Sequence, residues 1–211
     1  MELKIRMIRH GLTVSNEEHR YLGLTEEALS ERGRALLQES VGRNCGGRGR
    51  EQGADKEADK EAVPENMVTT EPVFVSPMRR CRETAEILFP AREKICIPEW
   101  TEIDFGDFEG KNFEELKYEP LYQEWMASGG KLPFPNGESR ENFITRCMQG
   151  YERMVRWVTA YAEKTSLREV EVTAVVNGGT IMAVCSSLFG GDYFDYQIRC
   201  GGEYICPSVI I

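Results

Sequence analysis

The stretch "REVEVTAVVNGGTIMAV", residues 168–184, decides the fold class. Its first half alternates charged and β-branched residues, Glu169, Val170, Glu171 and Val172, and then turns wholly apolar over Ala174–Val176. That pattern suits a strand running into a buried sheet. Gly178 and Gly179 break the run, and residues 181–184 resume it as a helix. A strand that enters a helix through a glycine turn is the unit of an α/β sheet, whose ligands gather outside the carboxyl ends of the strands. Asn177 is the polar residue on that turn, placed where strand ends and helix starts meet a ligand.

The rest of the chain alternates in the same way. Leu3–Arg9 reads as a first strand, and residues 29–41 as a helix with Ser30 at its N-cap. "PVFVSP" (72–77) reads as a second strand, with Ser76 and Pro77 as N-cap and first helical residue of "MRRCRETAEIL". Phe143, Cys147, Tyr151, Met154, Val155, Val158 and Tyr161 fall at helical spacing, marking a long amphipathic helix packed on the sheet. Phe194–Arg199 and Tyr204–Ile211 read as closing strands. The expectation is one domain over 1–211, a three-layer α/β/α sandwich around a mostly parallel sheet with a helical cap insertion.

Two segments stand apart. Residues 42–66 are rich in glycine and charge, carry a short ADKE repeat and contain no aromatic residue, so a solvated, mobile insertion is expected. Residues 103–142 hold Phe113, Tyr118, Tyr122, Trp125 and Phe134, which either build a substrate cap or pack as an ordinary helical insertion.

The composition narrows the functional classes. A net charge of −9 without a long basic stripe argues against a nucleic-acid partner. No apolar run suits a membrane span, and "MELKIRMIRH" is too charged for a signal peptide. Seven scattered cysteines without a Cys-x-x-Cys pair suit a reduced compartment, so a cytoplasmic location is expected. With two histidines in all, and none near Cys200 or Cys206, no metal centre is expected. Oligomeric state is left open.

The candidate chemistry lies in "MIRHGLTVSN" (7–16) and "SPMRR" (76–80), both at expected strand ends. A neutral imidazole such as that of His10 can attack phosphorus when a backbone acceptor fixes its tautomer and cations neutralise the phosphoryl oxygens. Arg9, Arg79 and Arg80 could supply that charge, with Asn16 as a neutral donor. A phosphate ester also needs an acid for its leaving oxygen. Among the carboxylates of "EWTEIDFGDFEGKNFEEL" (99–116), Glu102 follows an apolar segment and precedes a glycine turn, which would bury it enough to keep a proton near neutral pH.

Taken in order, "RHGLTVSN" (9–16), "YLGLTEEALSERG" (21–33), "SPMRRCRETA" (76–85), "EIDFGDFEGK" (102–111) and "NGGTI" (177–181) resemble the histidine phosphatase superfamily, which also contains the cofactor-dependent phosphoglycerate mutases. "FGDFEGKNFEEL", "YQEW" and "FPNGES" look most like its branch of bacterial α-ribazole phosphatases, which act late in cobalamin assembly. The resemblance implies a phosphomonoesterase working on a small phosphorylated substrate without metal or organic cofactor. It implies His10 as the nucleophile that becomes phosphohistidine and Glu102 as acid and then base. Arg9, Gly11, Asn16, Arg80 and Gly178 would lie about the phosphate, and Thr13, Leu22 and Gly23 at the entrance. His19 matches no motif position and reads as a surface residue. The family's usual residue at position 177 is a histidine that donates to the phosphate. Asn177 could still donate through its amide but carries no charge, so reduced activity is implied. A phosphate-binding pseudoenzyme and a mutase-type phosphotransferase are the alternatives.

Overall fold

The computed structural model describes residues 1–45 and 72–211. Its strands are β1 (Glu2–Arg9), β2 (Val73–Val75), β3 (Lys94–Cys96), β4 (Glu169–Val176), β5 (Glu203–Ile205) and β6 (Val209–Ile210). They form one sheet in the order β3-β2-β4-β1-β5, with β6 also pairing β1. The β1–β4, β4–β2 and β2–β3 pairings are parallel, whereas β5 and β6 run antiparallel to β1.

The helices are α1 (Val14–Glu17), α2 (Glu31–Cys45), α3 (Arg79–Leu88), α4 (Phe113–Leu116), α5 (Pro120–Ala127), α6 (Arg140–Thr165) and α7 (Gly178–Phe189). The pleat sends alternate side chains to opposite faces. Leu3, Ile5 and Met7 of β1 and Val170, Val172, Ala174 and Val176 of β4 join a core with Phe143, Met154 and Val158 of α6 and Ile181 and Val184 of α7. On the other face Ile8, Val73, Val75 and Val175 pack on Met78, Cys81 and Ala85 at and within α3. Helices thus cover both faces of a mostly parallel sheet, as the sequence pattern predicts. Full burial of a side chain such as Ile181 contributes roughly 1.5–3 kcal/mol, which is why these stripes rather than local propensity hold the helices in place.

Several expectations change. Phe194–Arg199 contains no strand: Tyr193–Tyr196 is a 3-10 turn, capped by the Asp192 side chain on Phe194 N, with Asp195 reaching back to Asp192 N. Short acidic side chains bonded to the local backbone compete with a sheet ladder. Tyr204–Ile211 is two short strands, because Pro207 between them has no N–H to continue the pairing. Ser76 and Pro77 precede α3, whose N-cap is Met78, and strand β3 had no separate reading. Ser30 does cap α2, accepting from Gly33 N at 3.0 Å, but that helix continues through Gly42 to Cys45. One glycine costs a helix only about 1 kcal/mol. Residues 46–66 of the charged stretch lie outside the described residues.

In the 103–142 region Tyr122 and Phe134 are buried in the main core with Phe108, and Trp125 stacks on Tyr122. Phe113 and Tyr118 are exposed. Tyr122, Trp125 and Phe134 therefore pack the base of this segment, and Phe113 and Tyr118 are left outward. No helix among the described residues is long and apolar enough to cross a membrane, and Cys81, Cys96, Cys147, Cys185, Cys200 and Cys206 are free.

Candidate active site

Three adjacent parallel strands, β2, β4 and β1, end side by side: Arg9 is level with Val176, and Val75 with Val175. The residues that follow them, His10, Ser76 and Asn177, extend the ladder, with His10 N donating to Val176 O at 3.0 Å and Ser76 N to Val175 O at 3.0 Å. Sheet register alone therefore brings the "RHG", "SPM" and "NGG" stretches together.

His10 is buried, and its Nδ1 lies 2.7 Å from Gly11 O. A carbonyl only accepts, so Nδ1 carries the hydrogen and Nε2 keeps a free lone pair. Burial, reinforced by Arg80 and then Arg9, pushes the imidazole well below the usual histidine range, which keeps it neutral. Gly11 N donates to Thr84 Oγ1 at 3.0 Å, and that hydroxyl donates to Arg80 O at 2.7 Å, tying the histidine loop to α3.

Both arginines that act on His10 are held from behind. Arg9 Nη1 donates to Ile198 O at 2.7 Å, while its buried Nε has no partner. Gly178 lies against it: a Cβ there would sit 3.0 Å from Arg9 Nε. Arg80, fully buried, donates from Nε to Asn177 Oδ1 at 2.9 Å, from Nη1 to Thr25 O at 3.1 Å and from Nη2 to Gly23 O at 3.0 Å. Two of its five N–H groups stay uncommitted. Arg79 is drawn away to Glu83 on the surface.

Glu102 is buried, 7% exposed, and accepts from Ile103 N at 2.9 Å and from Gly179 N, in the first turn of α7, at 3.3 Å. Burial raises its carboxyl above the usual range, against the pull of Arg80, of the two N–H groups and of Arg9. The same arginines thus lie near both Glu102 and His10.

Asn177 departs from its expected use. Its Nδ2 donates to Ser76 Oγ and to Trp100 O, both at 3.1 Å, and its Oδ1 accepts from Arg80. The orientation follows from its partners, since Trp100 O can only accept and Arg80 Nε only donate. The buried Cys81 thiol, pushed up to about 12 by desolvation, adds a weak contact to the same Oδ1. No amide hydrogen of Asn177 is free for a ligand. The side chain is a clamp on Arg80.

The entrance residues change as well. Gly23 N is taken by both oxygens of Glu109, at 2.9 and 3.0 Å, and Leu22 is buried. Thr13 caps α1, accepting from Asn16 N at 3.3 Å, and Asn16 Oδ1 accepts from Thr13 N at 3.2 Å. Asn16 Nδ2 takes no partner among the described residues. His19 is exposed, at φ 55°. Ser76, Thr84 and Glu109 lie inside the motif stretches without a site role having been read for them, and Trp100 lies outside those stretches. They act through contacts 24 to 101 positions away, for which a single sequence carries no local signal.

The family profile described as "Histidine phosphatase superfamily (branch 1)" matches residues 51–201, more than half of the chain. The chain belongs to the histidine phosphatase superfamily. The matched span begins after the "RHG" stretch, which register places beside "NGG". Among curated relatives, this superfamily member is 28% identical over 191 residues to a 2,3-bisphosphoglycerate-dependent phosphoglycerate mutase 2 of Gloeobacter violaceus, covering 86% of this chain and 74% of that one. It is 26% identical over 196 residues to phosphoserine phosphatase 1 of Hydrogenobacter thermophilus, covering 90% and 78%. The crystal structure of the α-ribazole phosphatase from Shigella flexneri superposes with a TM-score of 0.67 over 96% of this chain and 89% of that one, at 20% identity, a likeness of fold.

Proposed function

We propose that the protein is a cytoplasmic phosphomonoesterase that hydrolyses a small phosphate ester through a phosphohistidine on His10. The observation that carries this reading is the state of His10. It is a buried, neutral imidazole whose Nδ1–H is fixed on Gly11 O, whose Nε2 is bare, and which has Arg9 and Arg80 beside it.

In this mechanism the Nε2 lone pair attacks phosphorus, and the equatorial oxygens collect charge opposite the unpartnered Arg9 Nε, the uncommitted Arg80 N–H groups and Asn16 Nδ2. The ester oxygen leaves with the proton of the Glu102 carboxyl. The resulting Glu102 carboxylate takes a proton from water, whose oxygen attacks the phosphohistidine. Phosphate departs, and both His10 and Glu102 return to their starting states. Gly11 and Gly178 act by leaving room, for the His10 loop and for Arg9. Asn177 acts on the reaction by holding Arg80 and supplies no donor of its own, so turnover is slow. The "FGDFEGKNFEEL" and "FPNGES" stretches favour α-ribazole 5'-phosphate, a late intermediate of cobalamin assembly, as the substrate.

The test is covalent labelling. Exposure to labelled phosphoramidate should place an acid-labile, base-stable phosphoryl group on a ring nitrogen of His10. His10→Ala should lose both the label and the turnover of p-nitrophenyl phosphate. Phosphate binding without label or turnover would instead mark a pseudoenzyme. Label that passes to an acceptor acid in preference to water would mark a mutase.

A further inference from the structure

A cavity of about 480 Å³ is lined by Leu24, Thr101, Asp104, Glu138, Asn142 and Arg146. Its lining adjoins the proposed site along the chain, and Arg146 donates to Glu102 O at 3.4 Å. Leu24 lies between Gly23 and Thr25, whose carbonyls hold Arg80, and Thr101 immediately precedes Glu102. On the phosphatase reading above, this is the space open to the alcohol portion of the substrate.

Arg146, the cation in this lining, has nothing left to offer. Its Nε and one Nη2 hydrogen go to Glu138, at 3.2 and 2.8 Å. Its Nη1 donates to Glu99 O at 2.7 Å and to Thr101 O at 2.8 Å, and the second Nη2 hydrogen goes to Glu102 O at 3.4 Å. All five guanidinium hydrogens are thus committed, and the charge is cancelled by Glu138. Asp104 has no such partner: one oxygen accepts from Gly106 N at 2.8 Å, and no cation among the described residues pairs with it. The Asn142 amide takes no side-chain partner among the described residues. The cavity therefore presents one uncompensated carboxylate, a free amide and an exposed leucine.

We propose that this cavity selects phosphate esters whose alcohol portion carries no negative charge, uncharged polyols or amine-bearing alcohols, and rejects phosphorylated carboxylic acids. A substrate carboxylate would meet Asp104 with only the neutral Asn142 amide to donate to it and no cation to balance its charge, and like charges repel even in a partly solvated cleft. A hydroxyl or ammonium group would instead donate to Asp104.

The experiment compares glycerol 3-phosphate with 3-phosphoglycerate, which differ by an alcohol in place of a carboxylate, on the full chain, with 2-aminoethyl phosphate as the cationic member. The expected kcat/KM is higher for the first and third than for 3-phosphoglycerate by about tenfold, and the gap should narrow between about 20 and about 500 mM salt. Asp104→Lys should reverse the order. Asp104→Asn, a milder change, should narrow the gap, as should Glu138→Gln, which uncovers Arg146. Equal use of glycerol 3-phosphate and 3-phosphoglycerate, or a preference for 3-phosphoglycerate, in protein that turns over p-nitrophenyl phosphate would overturn this inference alone. Absence of p-nitrophenyl phosphate turnover and of the His10 label would overturn the phosphatase reading and this inference with it.

Discussion

Asn177 shows how one residue can keep its place in a site and change its work. A side-chain amide at this strand end could have turned its NH₂ toward a ligand. Instead both hydrogens face Ser76 and Trp100, and the carbonyl holds Arg80. Asn177→Ala would leave Arg80 Nε without a partner in a closed interior and remove one of the two donors to Trp100 O, at a cost of about 1–3 kcal/mol in stability. It would also let the guanidinium drift. The expected result is a fall in kcat of about a hundredfold on p-nitrophenyl phosphate, since small misplacement of a charge-stabilising group is costly. An imidazole at this position can accept from Arg80 at one ring nitrogen and donate from the other. Asn177→His should therefore raise kcat, by about two orders of magnitude, with KM little moved. An unchanged kcat in folded Asn177→His protein would mean that the missing donor does not limit turnover.

At the scale of the element, the first turn of α7 sets where Glu102 sits. Gly179 N donates to one carboxylate oxygen, and a Cβ at Gly179 would lie 2.3 Å from the other and 3.0 Å from the Phe143 ring. The helix can approach the carboxyl only because position 179 has no side chain. Gly179→Ala must push Glu102 or Phe143 aside, an overpacking cost of roughly 1–3 kcal/mol. The displaced acid should matter most where the leaving oxygen needs a proton. Turnover of glycerol 3-phosphate should fall about a hundredfold, with p-nitrophenyl phosphate affected much less, because p-nitrophenolate leaves with little help. Equal losses on the two substrates would show that the turn positions something other than the acid.

At the scale of the whole molecule, the site sets up opposing pH dependences. Between its depressed native value and about 6.5, His10 takes up a proton only in the unfolded chain, so stability is lost as pH falls below about 6.5. Glu102 works the other way. Its raised native value means that the folded state holds the proton more tightly above about 4.3, so its contribution is lost as pH rises through the native value. Thermal midpoints measured from about pH 4 to about pH 8 should separate the two. Relative to the parent, Glu102→Gln should gain as pH rises, and His10→Asn should gain as pH falls. A midpoint difference that stays constant with pH for either variant would contradict the burial assigned to that group.

What the residues alone determine about this protein is what local periodicity and short motifs can report. The alternation in 168–176, the apolar run before Arg9 and the glycines at 178–179 specify strands, a turn and a helix start, and with them an α/β sheet whose ends carry His10 and Asn177. Backbone preference and side-chain period act within a few residues, so they are legible there. Glu102 was separable from its neighbouring carboxylates only by an apolar approach and a glycine turn, and its actual depth depends on α7, 77 positions away. The aspartate-capped turn at 193–196 overrode a strand-like composition through bonds to its own backbone. Which way the Asn177 amide points, and whether Arg146 has a hydrogen left to donate, only the tertiary structure decided. Both depend on how many acceptors the folded chain brings within about 3 Å of a donor, and those acceptors come from segments with no sequence relation to the residue they restrain.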